Sequence, residues 1–312
     1  MLSIYKSTQN GLEQVEEIST GCWVSVVDPT NNEIQQLTAL GIPHDFITYP
    51  LDMDERARSE REDDGTMFIL IRIPVKAPEN DPEDVPYYTI PLGMILTDQV
   101  IITVCKTDTP LMKEFESGRI RGLSTGKRIR FVLRLLLQNA TKFLSYLRDA
   151  EKATEALEDR LLLSMKNKEL LELLKYQKSL VYFTTALKAN ELLLERLQRT
   201  QLFRMYPDDE DLLEDVITEN QQAIEMSSIQ SSILSGMMDA FASIVSNNLN
   251  VVMKFLASVT IVLSLPTIIT SFFGMNVKLP FADYNFAWLL IFALSLITVG
   301  VVTYIFSKRD WF

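Results

Sequence analysis

Histidine occurs once in the 312 residues, at His44, and cysteine twice, at Cys22 and Cys105. A single histidine excludes a His-rich metal centre and a Ser-His-Asp triad. Two cysteines exclude a disulfide scaffold and read as reduced residues packed inside a cytosolic domain. Basic residues are outnumbered, 30 Lys and Arg against 41 Asp and Glu, for a net charge of −11. A nucleic-acid partner needs a basic footprint to displace phosphate counterions, so none is expected. The N-terminal Met1-Leu2-Ser3-Ile4-Tyr5-Lys6 lacks the apolar core of a signal peptide. Proline is missing between Pro110 and Pro207, and again from there to Pro266. The most informative absence is charge itself: residues 255–273 and 286–306 contain no Asp, Glu, Lys or Arg.

Those two runs are 19 and 21 residues long. As helices each reaches about 30 Å, the thickness of a bilayer core. The connection at 274–285 is short, so the two form a hairpin with both ends on one side. Lys254, Lys308 and Arg309 flank the spans and the loop holds only Lys278. The positive-inside bias therefore puts both termini in the cytoplasm of a multi-pass protein of the cell membrane.

Residues 1–115 read as an α/β domain. Strands are expected at 22–28, 67–73, 92–96 and 100–104, and helices at 30–40 and 45–51, with an acidic, proline-bearing loop at 78–86. Residues 116–204 read as two long amphipathic helices, about 127–166 and 168–204, in a hairpin. A third helix begins near Pro207, runs as an acidic stalk over 205–254, and continues into the first span, 255–273. Such a helix needs partners, so an oligomer is implied.

Stepping along that helix by three and four residues selects Glu225, Ile229, Ser232, Gly236, Asp239, Ser243, Ser246, Asn250, Met253, Ala257, Thr260, Ser264, Thr267 and Ser271. This is a heptad seam built mostly of hydroxyls, small residues, an amide and carboxylates where a dry coiled coil would place Leu and Ile. Two readings follow. The seam lines a wet axis enclosed by several copies, or its hydroxyls bond their own backbone and join helices in the membrane. From residue 205 to 253 there is no Lys or Arg and there are nine acids. Around a symmetric bundle they form a negative field that concentrates cations. Clustered carboxylates also suit magnesium, which prefers oxygen ligands. Enzyme motifs are not matched: Gly122-Leu123-Ser124-Thr125-Gly126-Lys127-Arg128 is short of a phosphate-binding loop and lacks Ser or Thr after the lysine.

At the outer end of the first span stands Phe273-Gly274-Met275-Asn276. With the two terminal spans, Ser235-Gly236-Met237-Met238-Asp239, Ser246-Asn247-Asn248, Asn250-Val251-Val252-Met253-Lys254 and the ending Ser307-Lys308-Arg309-Asp310-Trp311-Phe312, it resembles the CorA family of magnesium transport proteins. The stretches Leu51-Asp52-Met53-Asp54-Glu55-Arg56 and Glu62-Asp63-Asp64 resemble that family's cytoplasmic domain. The resemblance implies an α+β membrane protein that forms a homopentameric funnel and is not an enzyme. It implies a magnesium channel, driven by membrane potential and closed by internal magnesium. Gly274, Met275 and Asn276 would form the outer filter. Asn250, Met253, Leu256, Thr260, Ser264 and Thr267 would line the pore, with Asp239 at its cytoplasmic mouth and Lys308 and Arg309 as an inner basic tail over 307–312. Regulatory metal would sit between subunits at Asp215, with Glu79 or Asp81 opposite. The outer loop departs from the family's Met-Pro-Glu-Leu stretch, reading Lys278-Leu279-Pro280-Phe281-Ala282-Asp283. Zinc or cobalt transport on the same scaffold, proton-coupled or not, is the first alternative. A membrane-anchored cytoplasmic sensor or scaffold is the second.

Overall fold

The structure, a computed structural model, describes residues 1–8, 11–78, 85–164, 167–199, 207–275, 286–309 and 311. The chain divides into two compact units, Met1–Gly236 and Met237–Phe312.

In the first unit seven strands form one sheet: β1 Leu2–Thr8, β2 Gly11–Val15, β3 Cys22–Val27, β4 Arg58–Arg61, β5 Met67–Lys76, β6 Tyr87–Leu96 and β7 Ile101–Cys105, in the order β2-β1-β3-β7-β6-β5-β4. Only β3 and β7 pair in parallel, Val24 opposite Ile102; every other neighbour is antiparallel. The central strands are largely apolar because both faces are covered. On one face lie α1 Asn31–Ala39 and α2 His44–Thr48, whose Leu37, Phe46 and Ile47 pack over Val24, Phe68 and Ile102. Helix α1 starts in a capping box, with Thr30 and Glu33 each accepting the other's backbone N–H. On the other face lie α3 Pro110–Glu116, α4 Arg128–Ser164, α5 Asn167–Arg199 and the start of α6 Pro207–Phe273, with Phe131 of α4 in the same core as Trp23, Ile71 and Leu92 of the sheet.

Strand β4 pairs with β5 only as far as Leu70, so beyond it one edge of β5 is bare. Two side-chain amides take the place of the missing strand. Asn190 on α5 accepts from the Arg72 N–H at 2.9 Å and donates to the Arg72 carbonyl at 2.9 Å; Asn139 on α4 donates to the same carbonyl at 3.1 Å. The Arg72 guanidinium donates to the carbonyls of Met53, Glu55 and Thr89, tying down the acidic 52–55 turn, and burial lowers its pKa. Asn190→Ala would leave a buried main-chain donor unpaired, and the expected loss is about 1–3 kcal/mol of stability. Thermal melting of the purified chain checks it; a melting curve matching the parent's would remove Asn190 from this role.

Several expectations are corrected here. The sheet has three strands more than the four expected, namely β1, β2 and β4. Strand β5 runs three residues past Ile73 through Pro74, which the bare edge tolerates because no strand there needs its N–H. Strand β6 begins at Tyr87, not Leu92. The segment expected as one helix over 45–51 is α2 followed by a 3-10 turn, Tyr49–Leu51. An extra short helix, α3, precedes the hairpin. His44 is an exposed surface residue. Cys22 and Cys105 are buried free thiols, and burial pushes Cys105 up to about 11. The glycine-rich 122–126 turn is a structural joint: the Thr125 hydroxyl accepts from the Ser7 N–H and the Thr125 N–H donates to the Ser7 hydroxyl.

Candidate ion pathway

Helix α6 is one unbroken element of 67 residues, about 100 Å of helix. Its two faces differ within the first unit. Within the first unit the side chains that pack inward are Asp209, Leu213, Val216, Asn220, Ala223, Ser227, Gln230 and Leu234. They too follow alternate steps of four and three. The seam expected from sequence lies two residues out of phase with this one, about 200° around the helix. All fourteen of its residues, Glu225 to Ser271, are exposed in the single chain. The sequence reading found the outward seam and missed the inward one. Its signal was present as Leu213, Val216, Ala223 and Leu234 at heptad spacing, but the amides and hydroxyl between them disguised it.

In the second unit, α6 and α7 Ala287–Lys308 both have apolar windows of which only 6% is buried. A soluble core helix would be covered, so these helices are solvated by lipid or by further copies. Ser258 on α6 and Ser295 on α7 are the buried residues of these spans, and a groove between the two helices is lined by Pro266, Thr270, Trp288 and Ser295. Trp311 stacks on Phe306 at 5.0 Å, folding the chain back after α7, while Lys308 and Arg309 stay exposed.

The predicted pore residues Asp239, Asn250, Met253, Leu256, Thr260, Ser264 and Thr267 are all exposed on α6. From Asp239 to Thr267 they extend along about 42 Å of helix. Their hydroxyls do bond their own backbone: Thr260 donates to the Leu256 carbonyl at 2.8 Å, Ser264 to Thr260 at 2.7 Å and Thr267 to Leu263 at 3.3 Å. A hydroxyl whose proton is spent inward presents only oxygen lone pairs outward. The seam through the span is therefore a line of acceptors, suited to water molecules around a cation. Thr260, Ser264 and Thr267 also line a shared concavity on the free side of α6.

Helix α6 closes at Gly274, whose N–H donates to the Thr270 carbonyl at 2.9 Å. Asn276, the third residue of the predicted filter, lies outside the described residues, as do Glu79 and Asp81. Asp215 is exposed near the base of α6, beside the buried Leu212, Leu213 and Val216. Among the described residues no group of three or more His, Cys, Asp or Glu is arranged to hold a metal ion within one chain.

An α/β domain that runs through one long helix into two terminal apolar spans defines a membrane protein of the two-span metal-transporter class. The chain belongs to the CorA-like Mg2+ transporter family, whose family model matches residues 19–309. It is 29% identical to the cobalt/magnesium transport protein CorA of Methanocaldococcus jannaschii over 300 residues, 93% of this chain and 90% of the relative. It is 22% identical to the magnesium transport protein CorA of Campylobacter jejuni strain RM1221 over the full length of both. The complete structure of the M. jannaschii CorA magnesium transporter superposes with a TM-score of 0.86 at 25% identity, covering 100% of this chain and 99% of that one. The full-length CmaX protein shares the fold, with a TM-score of 0.71 at 16% identity and coverage of 100% and 97%.

Proposed function

We propose that this chain assembles as a homopentamer in the cell membrane and conducts magnesium inward along a hydrated axis lined by the outward seam of α6. The observation that carries the reading is the exposure of all fourteen seam residues in the single chain. Polar groups at membrane depth need a wet or protein-lined surface, and two spans cannot enclose one alone. The names of the relatives, a cobalt/magnesium and a magnesium transport protein, support the ion.

In this reading residues 1–115 form the cytoplasmic domain, 116–204 the helix hairpin and 205–254 the stalk. Residues 255–273 and 286–306 cross the membrane, 274–285 form the external loop, and 307–312 the cytoplasmic basic tail, with both termini inside. Gly274, Met275 and Asn276 form the outer filter. Asn250, Met253, Leu256, Thr260, Ser264 and Thr267 line the conduit, and Asp239 draws cations to its inner mouth. Lys308 and Arg309 form an inner basic ring. Uptake is driven by the membrane potential, about 2.3 kcal/mol per charge for each 100 mV. It stops when internal magnesium bridges neighbouring subunits at Asp215, with Glu79 or Asp81 as partner. Without that metal the facing carboxylates repel and the assembly loosens.

The test is uptake of magnesium, cobalt and zinc, each measured separately, into vesicles holding the purified protein, with and without a pH gradient. Magnesium uptake that follows the membrane potential and ignores the pH gradient is expected. In the same vesicles Thr260→Cys, once modified by a charged water-soluble thiol reagent, should lose about nine-tenths of its flux. A variant that labels and still conducts would place Thr260 away from the conduit.

A further inference from the structure

The face of the sheet that carries α1 and α2 ends in a cavity far from any residue of the proposed conduit in the first unit. Its volume is about 300 Å3. Four separate stretches of chain wall it: the approach to β3 at Ile18, the end of α1 at residues 40–42, the β4–β5 turn at Asp64 and Thr66, and the β6–β7 turn at residues 97–100. Its floor is aliphatic. Val24 and Ile102, partners across β3 and β7, lie there with Ile42 and Val100, and all four are buried.

The walls are held by their own hydrogen bonds. The Gly21 N–H donates to the Gln99 carbonyl at 2.7 Å, tying the approach to β3 to the β6–β7 turn. The Thr97 hydroxyl accepts from the N–H groups of Gln99 and Val100 at 3.2 and 3.1 Å. The Asp64 carboxylate accepts from the Thr66 N–H at 2.8 Å and from the Thr66 hydroxyl at 3.1 Å. A preformed cavity with an apolar floor and a few polar groups at its mouth is the usual form of a small-molecule site, and a fixed wall leaves little ordering cost to binding. The charge around the mouth is one-sided. Glu16 and Glu17 precede Ile18, Glu62, Asp63 and Asp64 share one turn, and Asp98 lies on the other; all six are exposed. Against them stand Lys6, whose ammonium donates to the Ser19 hydroxyl at 2.9 Å, Arg61, and Arg128, 3.8 Å from Asp98.

We infer that this cavity binds a small organic cation: a primary ammonium group on a short apolar body. The aliphatic floor takes the body. The carboxylates at the mouth take the ammonium, which has three protons to donate. A hydrated magnesium ion does not suit the site, because it keeps its waters and the floor offers them no acceptor. An organic anion is repelled by the field of the mouth. The bound ligand joins the four stretches. The same β6–β7 turn receives the Arg128 guanidinium at its Thr97 carbonyl, so occupancy also steadies the first residue of α4. The inference does not depend on the proposed conduit.

The experiment uses the full-length protein in nanodiscs, with empty nanodiscs as the blank. Three probes of similar shape and different charge are titrated: phenethylamine, phenethyl alcohol and hydrocinnamate. Phenethylamine is expected to bind once per chain with a Kd of about 1 mM. The neutral alcohol should bind about tenfold more weakly, and the carboxylate not measurably. At about ten times its Kd the amine should raise the melting temperature of the first unit by about 3 °C. Asp64→Asn combined with Asp98→Asn should weaken the amine about fivefold and leave the alcohol unchanged. Ile18→Phe puts a ring into the cavity and should abolish binding of both. The absence of saturable amine binding above the blank would overturn the site. So would hydrocinnamate binding as tightly as the amine, or amine binding that Ile18→Phe leaves intact. Displacement of the amine by magnesium chloride at constant ionic strength would make this a metal site and overturn the inference as well. If Ile18→Phe does not fold, the Asp64→Asn and Asp98→Asn pair decides alone.

Discussion

Asn276→Ala is expected to lower magnesium uptake by about a hundredfold while the protein still inserts and assembles. Magnesium sheds its water slowly and demands near-octahedral oxygen coordination, so a filter that must pass it quickly holds the hydrated ion. Holding a hydrated ion requires acceptors for its water protons, and in the proposed filter a side-chain amide oxygen would supply one from each subunit. Alanine supplies none, and the loss is multiplied around the ring. Loss of groups that orient a metal's outer shell costs about 10–100-fold elsewhere. In the proposed assembly every copy would lose the contact at once, which places the expected effect at the upper end. Asn276→Asp separates affinity from throughput: the added charges should tighten capture and slow release, so uptake saturates at lower magnesium with a reduced maximum. The measurement is initial uptake rate against external magnesium in vesicles matched for protein content. An Asn276→Ala protein with the parent's rate would remove the amide from the filter.

How far the sequence could be read follows from what each feature depends on. The spans 255–273 and 286–306 were legible because they depend only on local composition, and the structure ends its helices at Phe273 and Lys308. The outward seam of α6 was legible because the period of a helix is fixed. Strand β4, with the sequence Arg58-Ser59-Glu60-Arg61, was not legible. It has no apolar alternation and is a strand only because β5 lies beside it. The hairpin of β1 and β2 was missed for a similar reason, since Gly11–Val15 is mostly exposed and its pairing, Lys6 opposite Glu13, is polar. The inward seam of α6 was hidden by Asn220, Ser227 and Gln230. Their burial depends on carbonyls of α4 and α5 that no local pattern reveals. Asp215, expected as a regulatory ligand, is exposed on α6, and its expected partners Glu79 and Asp81 lie outside the described residues.

The largest stability effect is expected at Trp23. This side chain is fully buried at the centre of the sheet. It stacks on Tyr5 at 5.0 Å, meets Phe131 at 5.1 Å and Phe115 edge-on at 6.3 Å, and its indole N–H donates to the buried Thr103 hydroxyl at 2.9 Å. It therefore joins β1, β3, β7, α3 and α4 in one contact set. Trp23→Ala removes the transfer energy of the ring and leaves a cavity that the four neighbouring elements cannot fill, for a loss of about 3–5 kcal/mol. Trp23→Phe keeps most of the packing and loses the hydrogen bond, and should cost less. Since a domain is stable by only about 5–15 kcal/mol, the alanine change consumes much of its margin. The strain falls on the first unit alone, because the apolar faces of the spans remain as they were. Two melting transitions are therefore expected to separate: the first unit unfolds earlier, and the apolar helices keep their helical signal at the same temperature. A Trp23→Ala protein that melts with the parent would mean that the ring is not the keystone of this core.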